Sequence, residues 1–424
     1  MKKLSILVTL LFSFFISSNT FAEGRISYIY TNRINSINND FLTNNSWELE
    51  GNKSTGKFRY NAKVNYQGSE LGAMYSLSEI YYEKNKSNSS YWFGRKILNW
   101  EKSEKHWNLG MLNPQVGFNL MDLNREGLVG LGVSKKIKSC NVELTVSPLN
   151  IPQMNPIFIT KKGKIIGKNE WSTNPPTKVI FNGVDTPIEY EVINPKISDI
   201  VGNLSYGGYV SCGKKTKFSS YAISKAENQI RLNANGALDT LNNRVFVQAK
   251  PFINKHNILG TSISHNWKKH HQAYMSYYRI IPQKEKIEAF EFESLKIEPV
   301  YTVESYGTLS YQYQNSRGKI SGNYIHTFEG RNPLDGIFTK KAYWLDAANI
   351  SIDYRLSERI KLKGSYTYDF SKKDVLTSFD ANIKFNKHFS SEVGAIFLDV
   401  PNDSSFWANY KSNDSIYTKV SYIF

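Results

Sequence analysis

The sequence predicts an all-β fold: a membrane-spanning antiparallel β-barrel of about 18 strands, within a range of 16 to 20, built from residues 23–424. Three observations predict it. Runs of about ten residues alternate apolar and polar side chains, as half-buried strands do. No segment beyond residue 22 approaches the roughly 18 apolar residues that a membrane helix needs. Aromatic residues make up 14% of the chain, with 27 Tyr against 6 Met. Tyr, Thr, Ser, Asn and Lys in alternating runs suit a barrel with a wet interior and aromatic girdles. A secreted β-solenoid or sandwich also alternates, but no period of about 20–50 residues is visible.

The amino end reads as a cleavable signal peptide over residues 1–22. Lys2 and Lys3 form a basic start, Leu4 to Ile16 is largely apolar, and Thr20-Phe21-Ala22 supplies small residues for cleavage after Ala22. About 13 apolar residues are too few to cross a bilayer as a helix.

Several strands read cleanly. Phe58, Tyr60, Ala62, Val64 and Tyr66 alternate with Lys57, Arg59, Asn61, Lys63 and Asn65. Ile360, Leu362, Gly364, Tyr366, Tyr368 and Phe370 alternate with Lys361, Lys363, Ser365, Thr367 and Asp369. Phe379, Ala381, Ile383 and Phe385 alternate with Asp380, Asn382 and Lys384. A charge facing lipid costs about 2–4 kcal/mol at the midplane, so the apolar set must face outward and the polar set inward.

Turn signals divide the chain. Short periplasmic turns are predicted near Gly51–Thr55, Lys84–Ser90, Lys136–Cys140, Cys212–Lys215, Leu238–Asn243, Lys268–His270, Ser316–Gly318, Ser357–Arg359 and Asn386–His388. Longer external connections are predicted near 34–44, 101–126, 149–202, 283–303, 330–340 and 399–412. The loops 101–126 and 149–202 are too long to be connectors only. Residues 149–202 could fold inward as a constriction or stand as an external lid, and the sequence places neither loop.

The chain holds two cysteines. Cys140 shares the outward parity of Val142, Leu144 and Val146; Cys212 shares that of Leu204, Tyr206, Gly208 and Val210. Both fall at the turn end of strands that the 149–202 loop makes neighbours, so a Cys140–Cys212 disulfide is expected in an oxidising compartment. Two cysteines with no nearby histidine do not suggest a metal site.

Net charge is +16, and about +14 once Lys2 and Lys3 are removed. A secreted chain has little access to nucleic acid, so this excess points to anionic lipopolysaccharide at the rim or to anionic solutes. Candidate pore-lining residues are Lys57, Arg59, Lys63, Arg95, Arg231, Arg244, Lys250, Lys361, Lys363 and Lys384. A positive lumen would favour anions. The competing reading places these residues at the rim or in pairs with acids, as Asp380 would pair with Lys363.

The last residues, Ser415 to Phe424, alternate with Ile416, Thr418, Val420, Tyr422 and Phe424 on one face. Val420, Tyr422 and Phe424 resemble the signal that the barrel-assembly machinery reads in bacterial outer-membrane barrels. By pattern, the mature chain resembles outer-membrane porins. A local likeness to alginate-export-type barrels rests on Gly94-Arg95-Lys96, Trp100, Leu112-Asn113-Pro114 and Arg125-Glu126-Gly127, with Lys96 and Glu101 departing from that pattern. These resemblances imply the outer membrane of a Gram-negative bacterium, and Arg95 as a channel-lining residue. Porin-like barrels often assemble as homotrimers, which stays open for this chain.

No enzyme is predicted. The seven histidines lie in no nucleophile motif, and neither a Gly-x-Ser-x-Gly elbow nor His-Glu-x-x-His occurs. No cofactor is implied, and no separate plug domain precedes the barrel. The expected function is passive diffusion of small hydrophilic solutes, with anions favoured. The alternatives are a substrate-specific or polymer-export barrel, and a non-conducting surface barrel acting as an adhesin or structural protein.

Overall fold

The structure is a computed structural model. It describes residues 24–424 except 35–40, 55–56, 68–71, 154–157, 162–163, 168–170, 172–176, 182, 194, 268–269, 286–289, 292–295, 298–299 and 331–341. The signal peptide expected over residues 1–22, with Ala22, lies outside the described residues.

Eighteen strands form one sheet: Gly24–Ile34, Phe41–Ser54, Phe58–Gln67, Gly72–Lys86, Ser89–Lys96, Leu128–Ile137, Cys140–Leu149, Ser205–Cys212, Thr216–Ala226, Lys255–Trp267, His271–Pro282, Glu304–Gln314, Gly318–Glu329, Asp346–Arg355, Ile360–Asp369, Val375–Lys384, Phe389–Asp399 and Ser415–Ile423. Each pairs antiparallel with the next. The first also pairs with the last, from Arg25↔Ile423 to Arg33↔Ser415, so the sheet closes and leaves no edge. No helix of the described residues is long and apolar enough to cross a membrane; the barrel crosses with strands.

Side chains obey the predicted parity. Phe218, Leu144, Tyr206, Ile350 and Phe379 are exposed on the outer wall, while Thr145, Ser147, Ser205 and Ser211 on the alternate positions are buried inside. Inward Ser, Thr and Asn zip neighbouring strands across the inner wall, as in Ser321–Ser351 at 2.7 Å and Ser365–Ser378 at 2.8 Å. An aromatic girdle rings the turn end, where Trp267 lies 5.8 Å from Tyr311 and Phe389 lies 5.0 Å from Tyr422.

Cys140 and Cys212 stand directly opposite each other in register, and they are bonded with Cα atoms 4.0 Å apart. The predicted turns fall at junctions between consecutive barrel strands, with one exception. Leu238–Asn243 joins Arg231–Asp239 to Arg244–Phe252, and these two strands are not in the barrel wall. They belong to a separate six-stranded sheet ordered Lys178–Phe181, Val184–Val192, Arg244–Phe252, Arg231–Asp239, Lys296–Ile297, Phe290–Glu291. Val184–Val192 runs parallel to Arg244–Phe252, a pairing that a meandering barrel does not use. The loop-end connections 150–204, 227–254 and 283–303 therefore share one sheet with its own small core of Ile188, Ala234 and Val247. The alternation at 231–252 is genuine, but it fits any sheet with one packed face and says nothing of which sheet.

Candidate functional site

The functional region is the lumen, and the segment between Lys96 and Leu128 occupies it. Inside this segment, Lys102–Trp107 is a short helix, and Glu101 caps it by accepting from the Ser103 N–H at 3.0 Å. Asn108 ends the helix in the left-handed conformation. The Leu112-Asn113-Pro114 run then returns along the segment's own start. Asn113 Oδ1 accepts from the Leu98 N–H and its Nδ2 donates to the Leu98 carbonyl, both at 2.9 Å. Glu104 fixes the same turn by accepting from the Leu112 and Asn113 N–H groups at 2.7 and 2.9 Å. Burial pushes its carboxyl above the usual range, and the Asn113 and Leu112 donors oppose that shift.

The segment is held to several walls at once. Arg95 Nη1 lies 2.8 Å from Glu126 Oε2, and Ser76 also donates to Glu126. Across the lumen, Tyr274 and Ser276 donate to Glu101. On a third wall Lys225 donates to the Met111 carbonyl at 3.3 Å, and Asn228 donates to the Gly110 carbonyl at 2.6 Å. Asp122 lies 3.5 Å from Lys63. These contacts reach around the circumference, so the segment crosses the bore rather than lining one side of it.

Above it the loops close into an aromatic cap. Trp107 lies 6.3 Å from Trp344, Trp344 lies 5.3 Å from Trp407, and Trp171 lies 5.5 Å from Tyr410. These side chains share one buried apolar cluster with Leu98, Leu112, Ile258 and Tyr278. Trp171, from the 149–202 connection, packs into this cluster beside Tyr410.

The candidate pore-lining residues divide into three groups. Arg59, Lys63, Arg95 and Lys361 are inside the barrel but paired: Arg59 with Glu79 at 3.1 Å, Lys63 with Glu48 at 3.2 Å, Arg95 with Glu126, Lys361 with Asp353 at 2.8 Å. Lys363 stands opposite Asp380 in register, and Tyr417 donates to that same carboxylate. Lys57 and Lys384 are exposed at the turn end. Arg231, Arg244 and Lys250 are not on the barrel wall at all. Arg231 pairs with Glu227, Arg244 pairs with Glu189 at 2.6 Å and Asp239 at 2.8 Å, and Lys250 is exposed on the six-stranded sheet. Alternation alone would place their strands in the wall, but both strands belong to the six-stranded sheet.

Sequence reasoning named Glu101 only as a departure from the alginate-export-type pattern, and did not single out Lys225, Asn228 or the Trp344–Trp407 pair. The signal for Glu101 was its place before Ser103 at the start of a short helical run. Nothing local marks the others: Lys225 and Asn228 meet the infolded segment, and Trp344 meets Trp407, across more than 60 residues of chain.

No family model matches the chain, and no curated protein matches it. Solved structures similar to this chain include Acinetobacter baumannii OccAB2, at 10% identity over 96% of this chain and 98% of that one, with a TM-score of 0.47. Pseudomonas aeruginosa OccK5 (OpdH) matches at 9% identity, 95% and 96% coverage and a TM-score of 0.46. Escherichia coli Wzi, an outer-membrane protein involved in group 1 capsule assembly and described as a carbohydrate-binding β-barrel, matches at 10% identity, 99% and 87% coverage and 0.46. At such identities and TM-scores these likenesses carry no residue role to this chain. The closed 18-stranded barrel, with its apolar outer wall and aromatic girdle, is itself the architecture of an outer-membrane protein of a Gram-negative bacterium.

Proposed function

We propose that this protein is a narrow outer-membrane channel for passive diffusion of small hydrophilic solutes, with the turn end in the periplasm. The observation that carries this reading is the infolded 97–127 segment, which reduces the bore of a barrel otherwise wide enough for an aqueous channel. Size exclusion would be set there. The inner wall toward the turn end is polar and charged, with Lys361, Lys363, Lys419, Asp353, Asp380 and Glu392 on adjacent strands. An anion preference would come from Lys363 and the turn-end Lys57 and Lys384. It is weaker than net charge suggests, because most inner cations have acid partners. Lipopolysaccharide at the loop-end rim and a trimeric assembly are compatible partners for such a barrel.

The aromatic cap supports a second reading, a barrel sealed at its mouth that acts through its external sheet. Planar-bilayer recording of the mature protein under a KCl gradient separates the two. Stable open steps with an anion-selective reversal potential, weakened by Lys361→Glu with Lys363→Glu, support the channel. Silence from folded, heat-modifiable protein rules out passive diffusion.

A further inference from the structure

Glu101 is 1% exposed. Its Oε1 collects four donors: Ser103 N–H at 3.0 Å, Ser103 Oγ at 2.6 Å, Tyr274 OH, and Ser276 Oγ at 3.2 Å. Its Oε2 is buried and has no hydrogen-bond partner among the described residues. The phenol oxygens of Tyr221 and Tyr278 are buried and unpartnered in the same way. The two tyrosines flank Gly260 at one level of the wall, each directly opposite it in register, and both lie within electrostatic reach of Glu101.

Other buried carboxylates of this region are compensated. Glu126 has Arg95, Glu48 has Lys63 and Lys419, and Glu104 has donors on both oxygens; Glu227 also leaves its Oε2 buried and unpartnered, but Arg231 pairs with its Oε1 and balances its charge. Burying a carboxylate that has neither an ion pair nor a donor on one oxygen is unfavourable, so Glu101 Oε2 calls for a partner.

We propose that Glu101 Oε2 and the Tyr221 and Tyr278 hydroxyls form a binding site for a monovalent cation of potassium or ammonium size. One carboxylate with neutral phenols supplies a single negative charge, which one monovalent cation balances. A calcium-type ion takes about six to eight oxygens, including several carboxylates. The surrounding rings suit a cation as well: the Lys102 ammonium already lies 5.3 Å from the Tyr274 ring centre, beside Glu101. This site lies within the lumen described above, but its occupancy does not depend on whether the barrel conducts.

The test uses the full mature protein folded in detergent and thallium(I) nitrate, read by tryptophan fluorescence. Trp100 is the reporter, with its ring 6.2 Å from that of Tyr221. Binding predicts a saturable quenching component that potassium or ammonium displaces and tetramethylammonium does not. Tyr278→Phe should weaken it by about tenfold or more, and Glu101→Gln should abolish it, while heat-modifiability shows both variants folded. If Glu101→Gln fails to fold, Tyr278→Phe decides. Quenching that is linear in thallium and equal in wild type and Tyr278→Phe overturns the proposal and leaves an ordered water as the partner of these three oxygens.

Discussion

Gly24 and Phe424 exchange both backbone hydrogen bonds, the Gly24 N–H donating to the Phe424 carbonyl at 3.1 Å and the Phe424 N–H to the Gly24 carbonyl at 3.0 Å. The Phe424 ring lies across the glycine, where an added Cβ would stand 2.4 Å from Cε2. The pair completes the seam at which the first and last strands close the barrel. Gly24→Val should therefore displace the ring and destabilise the seam by about 1–3 kcal/mol, as overpacking does. In a Phe424→Ala background the same substitution should cost little, because its obstacle is gone. The heat-modifiable fraction after refolding measures both, and equal losses in the two backgrounds would refute the steric account.

Arg95 and Glu126 tie the two ends of the infolded segment together with side chains that are 10% and 1% exposed. Removing one partner of a buried pair strands the other, at a cost of about 3–5 kcal/mol. Arg95→Ala should loosen residues 97–127 and admit protease cleavage within them. Arg95→Met with Glu126→Leu should be far milder, since no charge is left buried. Equal protease sensitivity in the single and double variants would show that the pair does not hold the segment.

Cys140 and Cys212 close a covalent ring across a sequence separation of 72 residues that includes the 149–202 loop. In the chain-entropy account a loop of that length corresponds to about 4 kcal/mol. The double variant Cys140→Ser with Cys212→Ser should lower the urea midpoint of the folded barrel and slow its appearance on refolding. Unchanged midpoint and rate would mean that the flanking strand ladders alone set this register.

The barrel was legible because lipid imposes a rule on every strand. Leu144, Tyr206 and Phe379 face outward as their parity requires, and the turns between strands carry Gly, Asn, Ser and Lys where the ladder ends. The disulfide was legible for the same reason, since parity put both cysteines on one face at one end. Residues 231–252 misled because Ala234 and Val247 alternate with polar neighbours around a different core. The site was less legible still. Glu101, Met111 and Trp107 meet Tyr274, Lys225 and Trp344 only after the barrel has closed, and no local pattern encodes which way a 31-residue connection folds.

Asp374, in the short connection after Ile360–Asp369, gives the fold a pH dependence of definite sign. It is 2% exposed, and its carboxyl is raised to about 6, first by burial and then by Asp369 and Asp399, against the opposing Ser405 hydrogen bond and Lys372. The folded state thus holds a proton that the unfolded chain, near the ordinary aspartate value of 3.8, releases earlier. Its favourable term is complete only when the group is protonated, and stability falls as pH rises from about 4 through about 6. Allowing for solvent screening of a surface connection, the loss by pH 7 is roughly 1–2 kcal/mol. Asp374→Asn should raise the urea midpoint at pH 7, leave it nearly unchanged at pH 4, and flatten the profile between them. A gain of equal size at both pH values would assign the effect to packing instead of titration.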